Sequence, residues 1–249
     1  MHAPRPTQVQ LCGPFVVEVD GRRVDPALPG RQARVLLGYL ALARDQPVPR
    51  GTVVDALWGA VPPAEVAAAL NVLVSRIRSA TGFGVRAERG ALRLVLPEHA
   101  RVDVETALAS LHAAEARIAR AQWQPAWGAA LTARFIARRP FLPEAEAPWA
   151  DVWRRRLADV HARALECYAT ACLGIGGAEA AGAERAALEL TETDPLRETG
   201  HLLLMRALAA RGNVAAALQA YERLRVLLRD QLGVDPSPSL QAYHAALLG

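Results

Sequence analysis

The 249-residue sequence contains no lysine; all 29 of its basic residues are arginine. A phosphate loop of the Walker type needs a lysine to reach the β- and γ-phosphates, so that chemistry is excluded. Only three cysteines occur, Cys12, Cys167 and Cys172. Their number is odd and their spacing fits no metal site, so they read as small buried hydrophobes in a reducing compartment. No apolar run approaches the ~20 residues of a membrane span. The opening MHAPRPTQVQL lacks the apolar core of a secretory leader, which gives a cytoplasmic expectation. The six histidines are scattered, and none pairs with glutamate at the spacing of a zinc protease. No nucleophile-elbow motif is present. Gly174-Ile175-Gly176-Gly177 imitates a dinucleotide loop, but position 179 is Glu rather than the third glycine and no strand precedes it. The expectation is therefore no enzyme, no metal and no cofactor.

Hydrophobic residues make up 52% of the chain, enough for real cores and against wholesale disorder. The length suggests one large or two modest domains. The formal charge of +4 is unevenly placed. Residues 1–100 hold twelve arginines against eight acids, whereas residues 101–249 hold seventeen of each. Between Arg76 and Arg93 there are five arginines and one acid, Glu88. Such a local basic patch is the electrostatic footprint of a phosphate-binding surface. It predicts that residues 1–100 carry most DNA affinity and that the neutral second half serves assembly.

Pro63–Gly82 organises that half. A proline suited to a first turn and a glycine suited to a stop bracket the stretch. Val66, Leu70, Leu73, Val74 and Ile77 recur at spacings of three and four, one apolar helical face. The opposite face carries Ala67, Ala68, Asn71, Val72, Ser75, Arg76 and Ser79, with Arg78 beside it. Asn can pair with adenine, and Arg with guanine or phosphate, in a major groove. Asn71, Val72 and Ser75 are the candidates for base readout, with Arg76 reaching a flanking base or phosphate.

Around this helix the pattern is strand, hairpin, helix, helix, helix, hairpin. Val9–Leu11 and Phe15–Val19 read as strands, with a turn at Asp20-Gly21 and a return at Arg22–Val24. A helix follows from Arg31 to about Ala43, with Val35, Leu36, Leu40 and Tyr39 inward. Pro47 and Pro49 break it, and a short helix spans roughly Arg50–Trp58. After Gly82, Val85–Glu88 and Leu92–Leu96 form a hairpin across Arg89-Gly90. Arg31, Arg34, Arg50 and Arg78 lie near helix ends or on the basic side, where phosphates are expected. Arg89 at the hairpin tip, with Arg93 behind it, is the candidate for the wing contact. From Asp103 the pattern is helical, at about 103–121, 125–138, 147–173, 179–192, 195–211, 214–232 and 237–248. Short Gly and Asp-Pro breaks suggest tetratricopeptide-like stacking with an irregular repeat. Trp149 and Trp153 share a helix face and read as core; Arg154-Arg155-Arg156 reads as solvated.

A helix-turn-helix followed by a hairpin is a winged helix. GPFVVEVDGRRV, LPGRQARVLLGYLAL, VVDALWG and VSRIRSATG, in this order, resemble the DNA-binding half of the Streptomyces antibiotic regulatory proteins, itself similar to OmpR and PhoB effector domains. AALQAYERLRVLLRDQLGVDPSPSLQAYHAAL (215–247) and APWADVWRRRLADVHARALECYA (147–169) are similar to the bacterial transcriptional activator domain. The fold expected is a mainly α chain with an α+β N-terminal part: a winged helix-turn-helix at about 8–98, then an all-α, tetratricopeptide-like domain at about 103–248. The resemblance implies a transcription regulator, an activator by its family, that binds direct repeats of double-stranded DNA as a dimer or tandem pair and recruits RNA polymerase. Larger relatives carry further domains after this point, which a chain ending at Gly249 is expected to lack. Ala67 and Ala68 stand where the family usually places Arg-Asn, and Ala91-Leu92-Arg93-Leu94 lacks the usual wing aromatic. A rival reading is an interaction protein whose winged helix binds a protein or ligand rather than DNA.

Overall fold

The structure is a computed structural model that describes residues 7–28 and 30–249. Residues 1–6 of the opening MHAPRPTQVQL and Pro29 of the LPGRQ stretch lie outside the described residues. The chain forms two compact units: residues up to Ala107 together with Ile136–Ala158, and Leu108–Phe135 together with Asp159–Gly249. The break expected between 98 and 103 therefore differs from the units, because the first recruits a later segment.

In the first unit, β1 (Gln8–Gln10), β2 (Val16–Val19) and β3 (Arg22–Arg23) form an antiparallel meander. Asp20 and Gly21 both have positive φ, the requirement of the tight hairpin turn. Next come α1 (Arg31–Leu42), β4 (Val48–Pro49), α2 (Arg50–Trp58), α3 (Val66–Thr81), β5 (Gly84–Glu88), β6 (Ala91–Val95) and β7 (Arg101–Val102). Two of these are new. β7 pairs in parallel with β1, giving a sheet ordered β3-β2-β1-β7, and β4 pairs with β6 in a sheet ordered β4-β6-β5. Proline is tolerated in β4 because this strand lies at the sheet edge.

The later segment completes this unit through backbone bonds. Gly13 N donates to Pro140 O at 2.8 Å and Leu142 N to Leu11 O at 2.9 Å. Asp103 accepts from the N–H groups of Leu11 and Cys12, each at 2.9 Å. Trp149 packs edge-on against Tyr39 and Phe141, and its indole N–H donates to Ala56 O in α2 at 3.0 Å. Arg154 is not a solvated residue, as its charged neighbours suggested. It donates to the carbonyls of Phe141, Leu142 and Ala145 and to Asp151, satisfying a loop that has no sheet partner for those oxygens.

The remaining helices are α4 (Asp103–Ile118), α5 (Trp123–Ala137), α6 (Pro148–Ile175), α7 (Ala180–Thr193), α8 (Glu198–Ala210), α9 (Val214–Leu232) and α10 (Pro238–Leu248). All seven expected helices are present, with ends shifted by a few residues. Pro125, expected as the opening residue of a helix at about 125–138, lies inside the first turn of α5, where its missing N–H is not needed. In the second unit α7 packs on α8 and α8 on α9 in chain order. Alanine, leucine and a methionine fill their contacts, including Ala183, Ala187, Leu190, Met205, Ala217 and Leu224. No described helix is long and apolar enough to cross a membrane.

Candidate nucleic-acid interface

The orientation of α3 decides which side chains reach a partner. Leu70, Leu73, Val74 and Ile77 are buried, as the sequence pattern requires, while Val66 is half-buried. Pro63 precedes the helix rather than opening it; Glu65 is the first flanking residue and contributes no side-chain cap. The far end is fixed more firmly. Gly82 adopts the left-handed conformation and its N–H bonds Arg78 O, while the Thr81 hydroxyl donates to Ile77 O at 2.7 Å and accepts from Phe83 N at 3.0 Å. The helix therefore presents Ala67, Ala68, Asn71, Val72, Ser75, Arg76, Arg78 and Ser79 to solvent. Val72 is 48% exposed, an apolar contact of a size suited to a thymine methyl.

The arginines separate into two groups. Arg34 pairs with Glu144 at 3.0 Å, and Arg31 pairs with Glu146 at 3.2 Å while bonding the Glu144 carbonyl. Arg78 donates to Val85 O, tying α3 to β5. Arg50 donates to Asn71 Oδ1 at 2.5 Å. By contrast Arg76, Arg89 and Arg93 are exposed and make no hydrogen bond or ion pair among the described residues. Arg89 occupies the hairpin tip with φ 46°, followed by Gly90 at φ 82°.

Arg86 belongs to the second group and is not among the site residues that the sequence pattern singles out. It is exposed, without a partner among the described residues, and stands directly opposite Arg93 across the β5–β6 ladder. Like charges at facing positions repel, so this pair is better accommodated beside an anion. The alternation Val85-Arg86 against Arg93-Leu94 could have located it, since Val85 and Leu94 are paired and buried.

Other chemistry is poorly served. Among the described residues no cluster of three or more His, Cys, Asp or Glu could hold a metal. Burial raises all three thiols, Cys167 to about 12 and Cys172 to about 11, so they are inert rather than nucleophilic.

The profile of the bacterial transcriptional activator domain matches residues 102–248. The regulatory protein AfsR of Streptomyces coelicolor is 34% identical over 96% of this chain, which spans 24% of AfsR. The regulatory protein DnrI of Streptomyces peucetius is 27% identical, with 97% of this chain and 92% of DnrI covered. The transcriptional regulatory protein EmbR of Mycobacterium tuberculosis is 28% identical over 96% of this chain and 62% of its own length. The solved structure of that EmbR in complex with a low-affinity phosphopeptide superposes with a TM-score of 0.83 and 25% identity, covering 98% of this chain and 64% of the other. The chain thus spans about a quarter of AfsR and under two thirds of EmbR.

Proposed function

The chain belongs to the bacterial transcriptional activator domain family, that of the Streptomyces antibiotic regulatory proteins, and from that premise we propose that it is a sequence-specific DNA-binding transcription regulator. The observation that carries this reading is the array of exposed arginines without partners among the described residues, Arg76, Arg86, Arg89 and Arg93, beside the polar face of α3. In the proposed complex α3 enters the major groove. Asn71, Val72 and Ser75 face base edges, and Arg76 meets a flanking base or phosphate. The β5–β6 hairpin sets Arg86, Arg89 and Arg93 against the neighbouring backbone or minor groove. Arg50 and Arg78 hold the reading elements in place and lend charge to the phosphates. Arg31 and Arg34 contribute less, because Glu144 and Glu146 answer their charge. The family relation supports binding to direct repeats as a dimer or tandem pair and contact with RNA polymerase, both proposals for this chain. The test is retention of the full chain on duplex DNA of random sequence as salt is raised. Retention that falls steeply with salt is expected; salt-independent retention, or none at low salt, favours an interaction protein instead.

A further inference from the structure

Arg50 occupies a junction. Its backbone N–H donates to Gly90 O at 3.0 Å, fastening the start of α2 to the hairpin turn, and its guanidinium reaches Asn71 Oδ1 on α3 at 2.5 Å. One residue of α2 thus ties together α3 and the hairpin, the two elements that the DNA-binding reading places against the duplex. The bond also fixes which way the Asn71 amide faces. A guanidinium only donates, so the amide oxygen must be the atom turned toward it, and the Nδ2 group is left pointing away. Asn71 remains exposed, so those donors are available to a ligand.

We infer that Arg50 biases Asn71 against adenine by setting its positive charge beside the amide oxygen, so that the base it selects is guanine; this rests on the DNA-binding function proposed above. Bidentate recognition of adenine uses the amide both ways, the oxygen accepting from N6 and the Nδ2 group donating to N7. With Arg50 on the oxygen, an adenine N6 amino group would approach an atom already receiving a charged donor, with guanidinium and amino hydrogens facing each other. The second lone pair of Oδ1 can still accept, so the discrimination comes from the guanidinium charge facing the amino hydrogens and not from a blocked oxygen. Guanine presents two acceptors, N7 and O6, in the same groove. Both suit the Nδ2 hydrogens and the N–H groups that Arg50 has to spare. Arg50 is therefore a positioning residue whose effect is on base choice and not only on affinity.

Selection from a randomised duplex library by the full chain tests this. The base position assigned to Asn71 is the one whose preference disappears in Asn71→Ala. At that position the wild-type chain is expected to select guanine over adenine by roughly tenfold. Arg50→Ala, and Arg50→Met, which keeps the aliphatic stem, are expected to shift the same position toward adenine, because the positive charge opposing the N6 amino group is then gone. Adenine selected by the wild type there, or unchanged base choice in both Arg50 variants with a uniform loss of affinity, overturns the inference while leaving DNA binding intact. No position losing its preference in Asn71→Ala also overturns it. A folded full chain that enriches no duplex overturns the DNA-binding reading and this inference with it.

Discussion

Gly38 in α1 leaves the space that Leu142 fills: a Cβ at position 38 would stand 2.7 Å from Leu142 Cδ1 and 3.4 Å from Leu11 Cδ2. Leu142 is 1% exposed and holds φ at 32°, a conformation uncommon for a bulky residue. It keeps that conformation because its N–H is bonded to Leu11 and its carbonyl to Arg154. Gly38→Val is expected to lower stability by about 1–3 kcal/mol through overpacking. Leu142→Ala is expected to cost about 2–5 kcal/mol through the cavity it leaves. Denaturant unfolding of the full chain checks both; two variants as stable as the wild type would mean that the later segment packs only loosely on α1.

The same contacts govern truncation. Charge placement alone assigns DNA affinity to residues 1–100, but that fragment lacks β7, Asp103 and the segment 136–158. Leu11 and Cys12 would lose their acceptors, and Trp149 would no longer cover Tyr39. Fragment 1–100 is expected to show no cooperative thermal transition by circular dichroism. A sharp melt with native helix content would show that the winged helix folds without its later partner.

His201 gives the second unit a pH dependence. Burial pushes its imidazole below the usual range, helped by Arg223 and opposed by Pro195 O, at 2.9 Å from Nε2, and by Glu198. A depressed basic group means the unfolded chain binds the proton more readily. The stability held by neutral His201 is therefore present above about pH 6.5 and is lost as pH falls through the folded value. Tm of the full chain is expected to drop between about pH 7.5 and pH 5.5, and to drop less in His201→Phe. Equal drops in the two proteins would assign the slope to other groups.

Much of this architecture is legible in the sequence because it is local. The buried face of α3, the Asp20-Gly21 and Arg89-Gly90 turns and the seven later helices follow from period and turn chemistry within short windows. What escapes is non-local. β4 and β7 are two residues each, too short to alternate, and exist only because β6 and β1 lie beside them. The return of 136–158 depends on contacts more than 90 residues away in sequence, such as Trp149 to Ala56. The arginines look alike in sequence, yet Glu144 and Glu146 neutralise Arg31 and Arg34, while Arg86 and Arg93 face each other with no carboxylate in ion-pair contact among the described residues.

That division predicts unequal roles. Replacing both Arg31 and Arg34 by alanine is expected to cost stability more than DNA affinity, leaving the salt dependence of binding within about one unit of slope. A slope reduced by about two would place these arginines on phosphates despite their ion pairs.

The salt slope of duplex binding by the full chain, compared with the variant in which Arg76, Arg86, Arg89 and Arg93 are all alanine, is the most direct test of the interface. Each phosphate neutralised contributes about −0.9 to the slope of log K against log salt. Four contacts therefore predict a slope shallower by about three to four units in the variant, with the fold retained because none of the four has a partner among the described residues. A folded variant that binds duplex with the wild-type slope would contradict the assignment of this face to DNA.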